Sequence, residues 1–349
     1  MDFDMPVSEL TPMHSRARPD VLVTVRFFDA DAVARLEARG HRVVRADVAF
    51  DAIDNTITPA IEQALGSVQA WILGAAPVTH ALLARHPNLR MVARRGVGFD
   101  SVDVNAVQSL GRILTNTPGG NEPAVADHAL ALMLAVGKRV VEAHARMQAG
   151  DWRVQVGTEL YRKTVGLIGL GRIGRQVAQR LSGFEARVLA FDPFLDEESA
   201  RRAGVTRCSL EQVLTQSDFV SLHAPLTPQT RHIIGAGALK LMKPEAILIN
   251  TARGELIDEQ ALLVALQSQQ LAGAGLDVFQ CEHAPALQPL ATQLLAWPTV
   301  VATPHSAASS RESLQRANAL AADCVAAVLE GRAVPAQCIV ADGRMPPGH

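Results

Sequence analysis

Short apolar runs alternate along this chain with longer segments whose apolar residues recur at helical spacing. In the first third of the chain the apolar runs predict strands at residues 21–25, 41–45, 68–73 and 90–93. Helical spacing predicts helices at residues 31–39 and 79–85. Strands that alternate with helices in this way indicate a parallel sheet covered by helices.

A second α/β series begins near residue 164. Its predicted strands are residues 164–168, 187–191, 219–222, 246–249, 273–276 and 300–302, with helices at 173–182, 209–215 and 258–267 between them. Ser309-x-x-Glu312 matches a capping box and predicts the start of a last helix that runs to Glu330. Residues from Pro335 onward are predicted to form a tail.

Residues 121–148 give the longest helical pattern. Asn121 is a suitable N-cap, Pro123 suits the first turn and Gly150 is a suitable terminator. A single helix of this length would span roughly 40 Å. We expect it to bridge two domains or to take part in a dimer interface.

Composition narrows the class of protein. The chain has 349 residues, enough for two separate cores, with 48% apolar and 19% charged residues. A formal net charge of −2 gives no electrostatic case for binding nucleic acid or an anionic membrane. The four cysteines form no C-x-x-C pair, which indicates neither a zinc site nor a disulfide framework. Residues 1–20 contain no apolar signal segment, so a tail and a cytoplasmic location are expected.

A glycine-rich turn follows the predicted strand 164–168 and opens the next predicted helix. Its sequence is Gly169-Leu170-Gly171-Arg172-Ile173-Gly174. Gly169 allows a tight turn, Gly171 allows the backbone to approach a pyrophosphate, and Gly174 allows the helix to pack closely on the strand. The N–H groups of the helix start, near Arg172 and Ile173, would face the phosphates. The pattern therefore predicts a dinucleotide site.

An acidic residue ends the strand that follows this helix. Asp192 comes 18 residues after Gly174 and precedes Pro193 and Phe194. A carboxylate in this position accepts hydrogen bonds from the ribose hydroxyls of adenosine and would repel a 2′-phosphate. We therefore predict NAD rather than NADP as the cofactor.

Polar residues follow four successive predicted strands of this second series. The segments are His223-Ala224-Pro225, Asn250-Thr251-Ala252-Arg253, Asp277 with Glu282, and Thr303-Pro304-His305. In an open parallel sheet, ligands bind outside the carboxyl ends of the strands. These residues are therefore expected to line one crevice with the glycine turn.

Hydride transfer to a carbon that bears oxygen suits this set of side chains. Arg253 can bind a substrate carboxylate and polarise a carbonyl group. His305 can deliver the proton, because its ordinary pKa lies near the working pH. Glu282 is the candidate that orients the imidazole of His305. Asp277 is either a ligand of the nicotinamide carboxamide or, in the competing assignment, the partner of His305.

The chain resembles the D-2-hydroxyacid dehydrogenase family over roughly residues 21–340. The resemblance rests on the glycine turn and on these stretches: residues 96–103, 116–121, 223–225, 250–256 with Asp258, 276–279 with Glu282, and 303–305. It implies that Arg253, Glu282 and His305 are the active-site trio, with His305 as proton donor in reduction. It also implies that backbone N–H groups at Val97 and Gly98 bind the substrate carboxylate, and that the enzyme is a homodimer.

The resemblance implies an α/β fold of two doubly wound parallel-sheet domains. A Rossmann-type NAD-binding domain, residues 119–305, is inserted into a flavodoxin-like substrate domain, residues 21–118 and 306–340, and residues 341–349 form a tail. The predicted cofactor contacts are Gly169, Gly171, Arg172, Ile173, Gly174, Asp192, His223, Ala224, Pro225, Thr230, Thr251, Ala252, Arg253, Asp277 and His305. The predicted substrate contacts are Gly74, Ala75, Val97, Gly98, Arg253 and His305. No metal is expected.

Departures from the family pattern bear on the substrate. Members often have Glu-Pro or Glu-x-Pro at the catalytic glutamate, whereas this chain has Glu282-His283-Ala284-Pro285. The loop Gly74-Ala75-Ala76-Pro77 lacks an arginine that would grip a phosphate, and no regulatory domain is expected after the last helix. We therefore expect a small 2-oxo acid such as glyoxylate or hydroxypyruvate. The alternatives are a phosphoglycerate dehydrogenase without its regulatory domain and a corepressor-like NAD-sensing binding protein.

Overall fold

The computed structural model describes residues 20–46 and 57–344. The strands are β1 (Val21–Val23), β2 (Val43–Arg45), β3 (Ala70–Leu73), β4 (Met91–Arg94), β5 (Ile113–Thr115), β6 (Thr164–Ile168), β7 (Arg187–Phe191), β8 (Thr206–Arg207), β9 (Phe219–Leu222), β10 (Ile247–Asn250), β11 (Gly273–Leu276), β12 (Val300–Ala302) and β13 (Ile339–Asp342). The helices are α1 (Ala30–Glu37), α2 (Pro59–Leu65), α3 (His80–Arg85), α4 (Val104–Ser109), α5 (Glu122–Gly137), α6 (Val140–Gln148), α7 (Arg172–Leu181), α8 (Glu197–Arg202), α9 (Leu210–Gln216), α10 (Ala236–Leu241), α11 (Glu259–Gln267), α12 (Gln288–Leu295) and α13 (Arg311–Leu329).

The chain divides into two compact units. Unit 1 contains the residues up to Asn121 and those from Ser310 onward, and unit 2 contains Glu122–Ser309. The predicted domain boundaries, after residues 118 and 305, lie a few residues before these divisions. The assignment of unit 1 to the substrate stays a prediction.

The sheet of unit 1 has the strand order β2-β1-β3-β4-β5-β13. The first five strands are parallel, in a flavodoxin-like order, and β13 runs antiparallel to β5. Alternate residues pack on opposite faces: Val21 and Val23 lie in the core beneath α1 and α13, whereas Leu22 lies in the core beneath α2, α3 and α4. Because helices cover both faces of the sheet, successive residues of strands such as β1 and β3 are all buried, and their sequences are continuous apolar runs.

The sheet of unit 2 has the strand order β8-β7-β6-β9-β10-β11-β12, and all its strands are parallel. This is the doubly wound Rossmann order: β7 and β8 are added on one side of β6, and β9 to β12 are added on its other side. The carboxyl ends of β6, β9, β10, β11 and β12 therefore share one edge of the sheet. The predicted fold class, two doubly wound α/β domains, is confirmed.

The prediction of one helix over residues 121–148 is wrong. The structure has two helices, α5 and α6, because Arg139 adopts a left-handed backbone conformation with φ +55° directly after Gly137-Lys138. Helix α5 packs against α7, β10 and β11 of its own unit. Helix α6 buries none of its side chains and ends where Gly150 takes φ +82°.

Two predictions near the end of the chain are also wrong. The N-cap of α13 is Ser310 rather than Ser309, since the Ser310 hydroxyl accepts a hydrogen bond from the Ser313 N–H at 3.2 Å. Residues 335–344 are not a tail, because β13 pairs with β5 and buries Ala341. Of the tails predicted at residues 1–20 and 341–349, residues 1–19 and 345–349 lie outside the described residues. Within the described ranges, no helix combines the length and apolar character that a membrane span requires.

Candidate active site

The glycine turn between β6 and α7 has the geometry that its sequence predicts. Gly169 has φ +97°, and a Cβ on it would lie 2.7 Å from the Ala224 nitrogen. A Cβ on Gly174 would lie 2.3 Å from the Gly169 carbonyl oxygen, so the close packing of turn and helix requires glycine at both positions. At Gly171 a Cβ would meet no atom of the described chain within 4 Å. Open space therefore lies over the middle of the turn.

The start of α7 is available to an anion. Gly171 is the N-cap of this helix and provides no side-chain capping bond. The first N–H groups of a helix have no partner within the helix, and the helix dipole favours negative charge at this end. The backbone at Arg172, Ile173 and Gly174 is therefore suited to bind the phosphates of a dinucleotide.

Asp192 lies beside this turn, at the end of β7. Its carboxylate accepts hydrogen bonds from the Leu170 N–H and from the Phe194 N–H, each at 2.9 Å. These two bonds fix the carboxylate against the glycine turn and leave lone pairs for further donors. This is the arrangement that ribose hydroxyls require.

Two buried polar atoms at the same edge lack partners within the described residues. They are Nδ1 of His223, which follows β9, and Oγ1 of Thr251, which follows β10. The other ring nitrogen, Nε2 of His223, lies 3.0 Å from the Ser221 hydroxyl, and burial lowers the pKa of His223 to about 4. Buried polar atoms are normally hydrogen-bonded, so a bound polar group fits here. These observations together fit a dinucleotide cofactor.

The remaining predicted cofactor residues lie in two turns at this edge. Ala224 and Pro225 continue from His223 into a turn in which the Thr230 hydroxyl donates to the Pro225 carbonyl at 2.7 Å. Ala252 lies in the turn after β10 and donates its N–H to Oδ1 of Asn250 at 3.0 Å. Their contacts with the cofactor stay predictions.

A buried asparagine shapes the turn that carries Arg253. The side-chain amide of Asn250 donates to the Arg253 carbonyl at 2.8 Å while its oxygen accepts the Ala252 N–H. The next residue, Gly254, packs directly on the turn after β11, since a Cβ on Gly254 would lie 2.2 Å from the Phe279 carbonyl carbon. The turns that carry Arg253 and Glu282 are therefore in backbone contact.

Glu282 and His305 form a hydrogen-bonded pair. Nδ1 of His305 lies 2.5 Å from a carboxylate oxygen of Glu282, and the other carboxylate oxygen accepts the Phe279 N–H at 2.7 Å. Burial by itself would raise the pKa of Glu282. The hydrogen bond and charge of His305, the Phe279 N–H and the charge of His283 together lower that pKa below its ordinary value. Glu282 is therefore ionised at neutral pH and holds the imidazole in one orientation.

Asp277 holds the turn that carries His305 rather than pairing with the imidazole. The carboxylate of Asp277 accepts the N–H groups of Ser306 at 2.8 Å and of Ala307 at 2.9 Å, and its carbonyl accepts the His305 N–H at 2.7 Å. These bonds keep His305 at φ +50°, a left-handed conformation that costs a non-glycine residue about 1 kcal/mol. The competing assignment of Asp277 as the histidine partner is wrong.

His128 on α5 also reaches this cluster and was not predicted. Its Nε2 lies 2.8 Å from the Thr303 hydroxyl, which in turn donates to Asp277 at 2.5 Å. The only sequence signal was a histidine directly before the apolar run 129–136, and such a residue is more often a satisfied core histidine. The structure shows it to be the third member of a Thr303–Asp277 network.

In unit 1, the predicted substrate residues follow two neighbouring parallel strands. Gly74 and Ala75 follow β3, and Val97 and Gly98 follow β4. The second of these turns is fixed from β5, because the Asn116 amide donates to the Val97 carbonyl at 2.8 Å. Their contact with the substrate stays a prediction.

Comparison with known proteins gives a consistent result. Residues 130–307 match the family model described as D-isomer specific 2-hydroxyacid dehydrogenase, NAD binding domain. The chain is 41% identical to a glyoxylate reductase from Korarchaeum cryptofilum over 74% of this chain and 79% of that protein. It is 37% identical to a glyoxylate/hydroxypyruvate reductase B from Yersinia enterocolitica over 89% of this chain and 94% of that protein.

Two further similar proteins have other names. The chain is 41% identical to a D-3-phosphoglycerate dehydrogenase from Mycobacterium leprae, but it spans only 49% of that protein's length. The D-lactate dehydrogenase from Aquifex aeolicus, solved with NAD and lactic acid, superposes with a TM-score of 0.79 and 28% identity, over 93% of this chain and 99% of that one. The chain is an NAD-dependent oxidoreductase and belongs to the D-isomer specific 2-hydroxyacid dehydrogenase family.

Proposed function

We propose that this enzyme interconverts a 2-oxo acid and the corresponding D-2-hydroxy acid, with His305 as the acid and base. The observation that carries the proposal is the 2.5 Å pairing of His305 with the ionised Glu282. Arg253 stands at the same edge of the sheet, in a turn that touches the turn of Glu282. A proton donor, its orienting carboxylate and a fixed cation are thus held together by rigid elements.

Each member of the trio has one task in reduction. NADH, when bound, would supply the hydride. The guanidinium of Arg253 binds the substrate carboxylate and polarises the carbonyl oxygen. His305 gives its Nε2 proton to that oxygen, and Glu282 stabilises the imidazolium before the transfer. In oxidation, the neutral imidazole takes the proton from the hydroxyl group.

The proposed cofactor contacts follow the edge of unit 2. The N–H groups at the start of α7 bind the pyrophosphate, and Asp192 accepts the ribose hydroxyls. Nδ1 of His223 and Oγ1 of Thr251 are buried polar atoms at this edge that lack partners within the described ranges, so each is available to a polar group of the cofactor. Asp277 already accepts hydrogen bonds from two backbone N–H groups and from Thr303, which favours an anchoring role over a direct bond to the nicotinamide.

For the substrate, we propose a small 2-oxo acid of the glyoxylate or hydroxypyruvate kind. Gly74 and Ala75 present little side-chain volume after β3, and the backbone at Val97 and Gly98 is proposed to bind a carboxylate. Two similar proteins carry the names glyoxylate reductase and glyoxylate/hydroxypyruvate reductase. A phosphoglycerate-type substrate and a corepressor-like binding role remain the alternatives that an assay distinguishes.

We also propose that the enzyme is a homodimer. Helix α6 and the segment after it expose seven large apolar or aromatic side chains: Val140, Val141, Met147, Trp152, Val154, Val156 and Tyr161. An exposed apolar patch of this size marks an interaction surface. A second copy of the chain is the occupant that the family resemblance implies.

The test of the catalytic proposal compares His305→Ala with the parent. Purified protein is assayed for NADH oxidation against glyoxylate, hydroxypyruvate, pyruvate and 3-phosphohydroxypyruvate. We expect turnover with a small 2-oxo acid, and a loss of roughly a thousandfold in kcat in the variant because its general acid is gone. NADH binding, followed by fluorescence, should be retained.

His80→Ala is the matched control, because His80 is an exposed histidine on α3. It should keep the parent rate. A parent protein that binds NADH but reduces no 2-oxo acid would favour the NAD-sensing alternative. A His305→Ala variant that keeps a tenth of the parent rate would rule out the proton-donor role.

A further inference from the structure

A second histidine–carboxylate pair stands beside the catalytic pair. Nδ1 of His283, the residue after Glu282, lies 3.1 Å from a carboxylate oxygen of Glu255. About half of the His283 side chain is exposed, whereas the Glu255 carboxylate is almost entirely buried. His283 occupies the position at which this chain departs from the Glu-Pro pattern, so the departure places an ionisable group next to the catalytic carboxylate.

The pair belongs to a double connection between two turns. Glu255 and Glu259 both follow Arg253, and both contact the turn that carries Glu282. Glu259 accepts the Gln280 N–H at 2.7 Å, and the Gln280 side chain donates to the Ile257 carbonyl at 2.8 Å. Along the chain, Gln280 precedes Glu282 and His283 follows it, so the turn of Glu282 is bonded to the segment after Arg253 on either side of Glu282 in sequence.

Both negative and positive side chains surround His283. The charges of Glu255, Glu282 and Arg253 act on His283, and the charge of Arg231 acts on Glu255. In addition to burial, the charges of Glu255 and Glu282 raise the pKa of Glu259, and those of Glu259 and Glu282 raise the pKa of Cys281. The hydrogen bond and charge of Glu255 raise the pKa of His283 against the effects of burial and of Arg253. His283 is therefore positively charged at slightly acid pH, and its charge acts on the ionised Glu282.

We propose that His283, held by Glu255, is a positioning residue whose positive charge adds to the stabilisation of the Glu282 carboxylate and eases the release of the His305 proton. The proposal rests on the proposed role of His305. A cation beside Glu282 stabilises that carboxylate and repels the imidazolium of His305. Glu255 holds the cation in place and balances its charge.

The test measures the titration of His305 in cofactor-free protein. Proton and nitrogen NMR of histidine-labelled protein follows the ring, and His305→Ala identifies its signal. In His283→Gln, Glu255 is left as an unbalanced negative charge, so the pKa of His305 should rise by about half a unit. In the double variant His283→Gln/Glu255→Gln the charge is balanced again, and most of this rise should disappear. His283→Lys keeps the charge and should stay close to the parent.

The same variants then test the link to catalysis. In His283→Gln, the basic limb of the pH profile of kcat/KM for reduction should move upward by the same amount, and the double variant should move it back. An unchanged His305 titration in His283→Gln would overturn the inference, as would equal shifts in the single and double variants. An NMR shift without a shift of the pH profile would instead contradict His305 as the catalytic acid, which separates the two failures.

Discussion

At the scale of single residues, Glu259 is a buried carboxyl group that joins the segment after Arg253 to the turn of Glu282. It is 2% exposed, accepts one N–H from Gln280, and has a second carboxylate oxygen without a partner within the described residues. Burial, together with the nearby charges of Glu255 and Glu282, raises the pKa of Glu259 to about 7. The carboxyl group is thus neutral through most of the acid range and becomes a buried anion above neutral pH.

This residue makes stability depend on pH. The folded-state pKa of about 7 lies above the ordinary value of 4.5, so the folded state binds the proton more tightly. The unfolding free energy therefore falls as pH rises from about 4.5 to 7, by up to about 3 kcal/mol. Glu259→Gln keeps the acceptor for Gln280 and removes the titration, so its urea midpoint should change less between pH 5 and pH 8 than that of the parent.

Glu211→Gln provides the control for this measurement, because Glu211 is exposed on α9 of the same unit. Its pH dependence should match the parent. If Glu259→Gln and the parent lost equal stability between the two pH values, the buried titration of Glu259 would be excluded.

The proposed trio of Arg253, Glu282 and His305 was predictable because each member lies in the turn that follows a strand of the parallel sheet. Position in the chain therefore fixed which edge each residue occupies, and the register of β10, β11 and β12 brings them together. The pairs Glu255–His283 and His128–Thr303 were not predictable, since each joins segments whose contact depends on packing. The spacing of residues within one strand or helix cannot predict a contact between two separate segments.

At the scale of elements, helix α13 begins one residue later than its sequence pattern predicts. Ser309 and Ser310 are adjacent, and both fit an N-cap in composition. The cap is Ser310, which has an extended backbone and whose hydroxyl accepts the Ser313 N–H. A capping pattern predicts a helix start to within a residue or two, and the local backbone decides the rest.

We expect Ser310→Ala to lower the unfolding free energy by about 1 kcal/mol, because it leaves a helix N–H without its acceptor. Ser309→Ala is the natural control and should change stability by less than about 0.5 kcal/mol. Urea unfolding followed by circular dichroism measures both. Equal losses in the two variants would show that the Ser310 hydroxyl does not cap the helix.

The elements that sequence missed are short or interrupted. Strands β5, β8 and β13 have two to four residues each, too few for periodicity to stand out. The break between α5 and α6 lies at Arg139, a residue type that gives no sign of a left-handed conformation. Long buried strands such as β6 were predictable because their apolar runs are set by burial on both faces.

At the scale of the whole molecule, the apolar patch of α6 and residues 149–161 predicts association. We expect the parent to elute as a dimer in size-exclusion chromatography with light scattering, at twice 37.3 kDa. Trp152 and Val156 are 76% and 88% exposed, and Trp152→Glu/Val156→Glu should shift the protein toward the monomer because charges are costly to bury in an interface.

Phe194→Glu is the comparison, since Phe194 is 93% exposed and apolar but lies after β7, away from the patch in sequence. It should leave the molar mass unchanged. A parent that is monomeric at micromolar concentration would refute the dimer.

The antiparallel strand β13 has a consequence for the order of folding. It completes a sheet whose other five strands lie before residue 116. Helix α13, which precedes β13, covers one face of this sheet together with α1. During synthesis, at about 5–20 residues per second, the ribosome needs on the order of 10 s or more to make residues 122–309. Throughout that interval the early strands lack their edge partner β13 and the part of their apolar cover that α13 supplies beside α1. The unit that leaves the ribosome first is therefore completed last, while unit 2 is already whole.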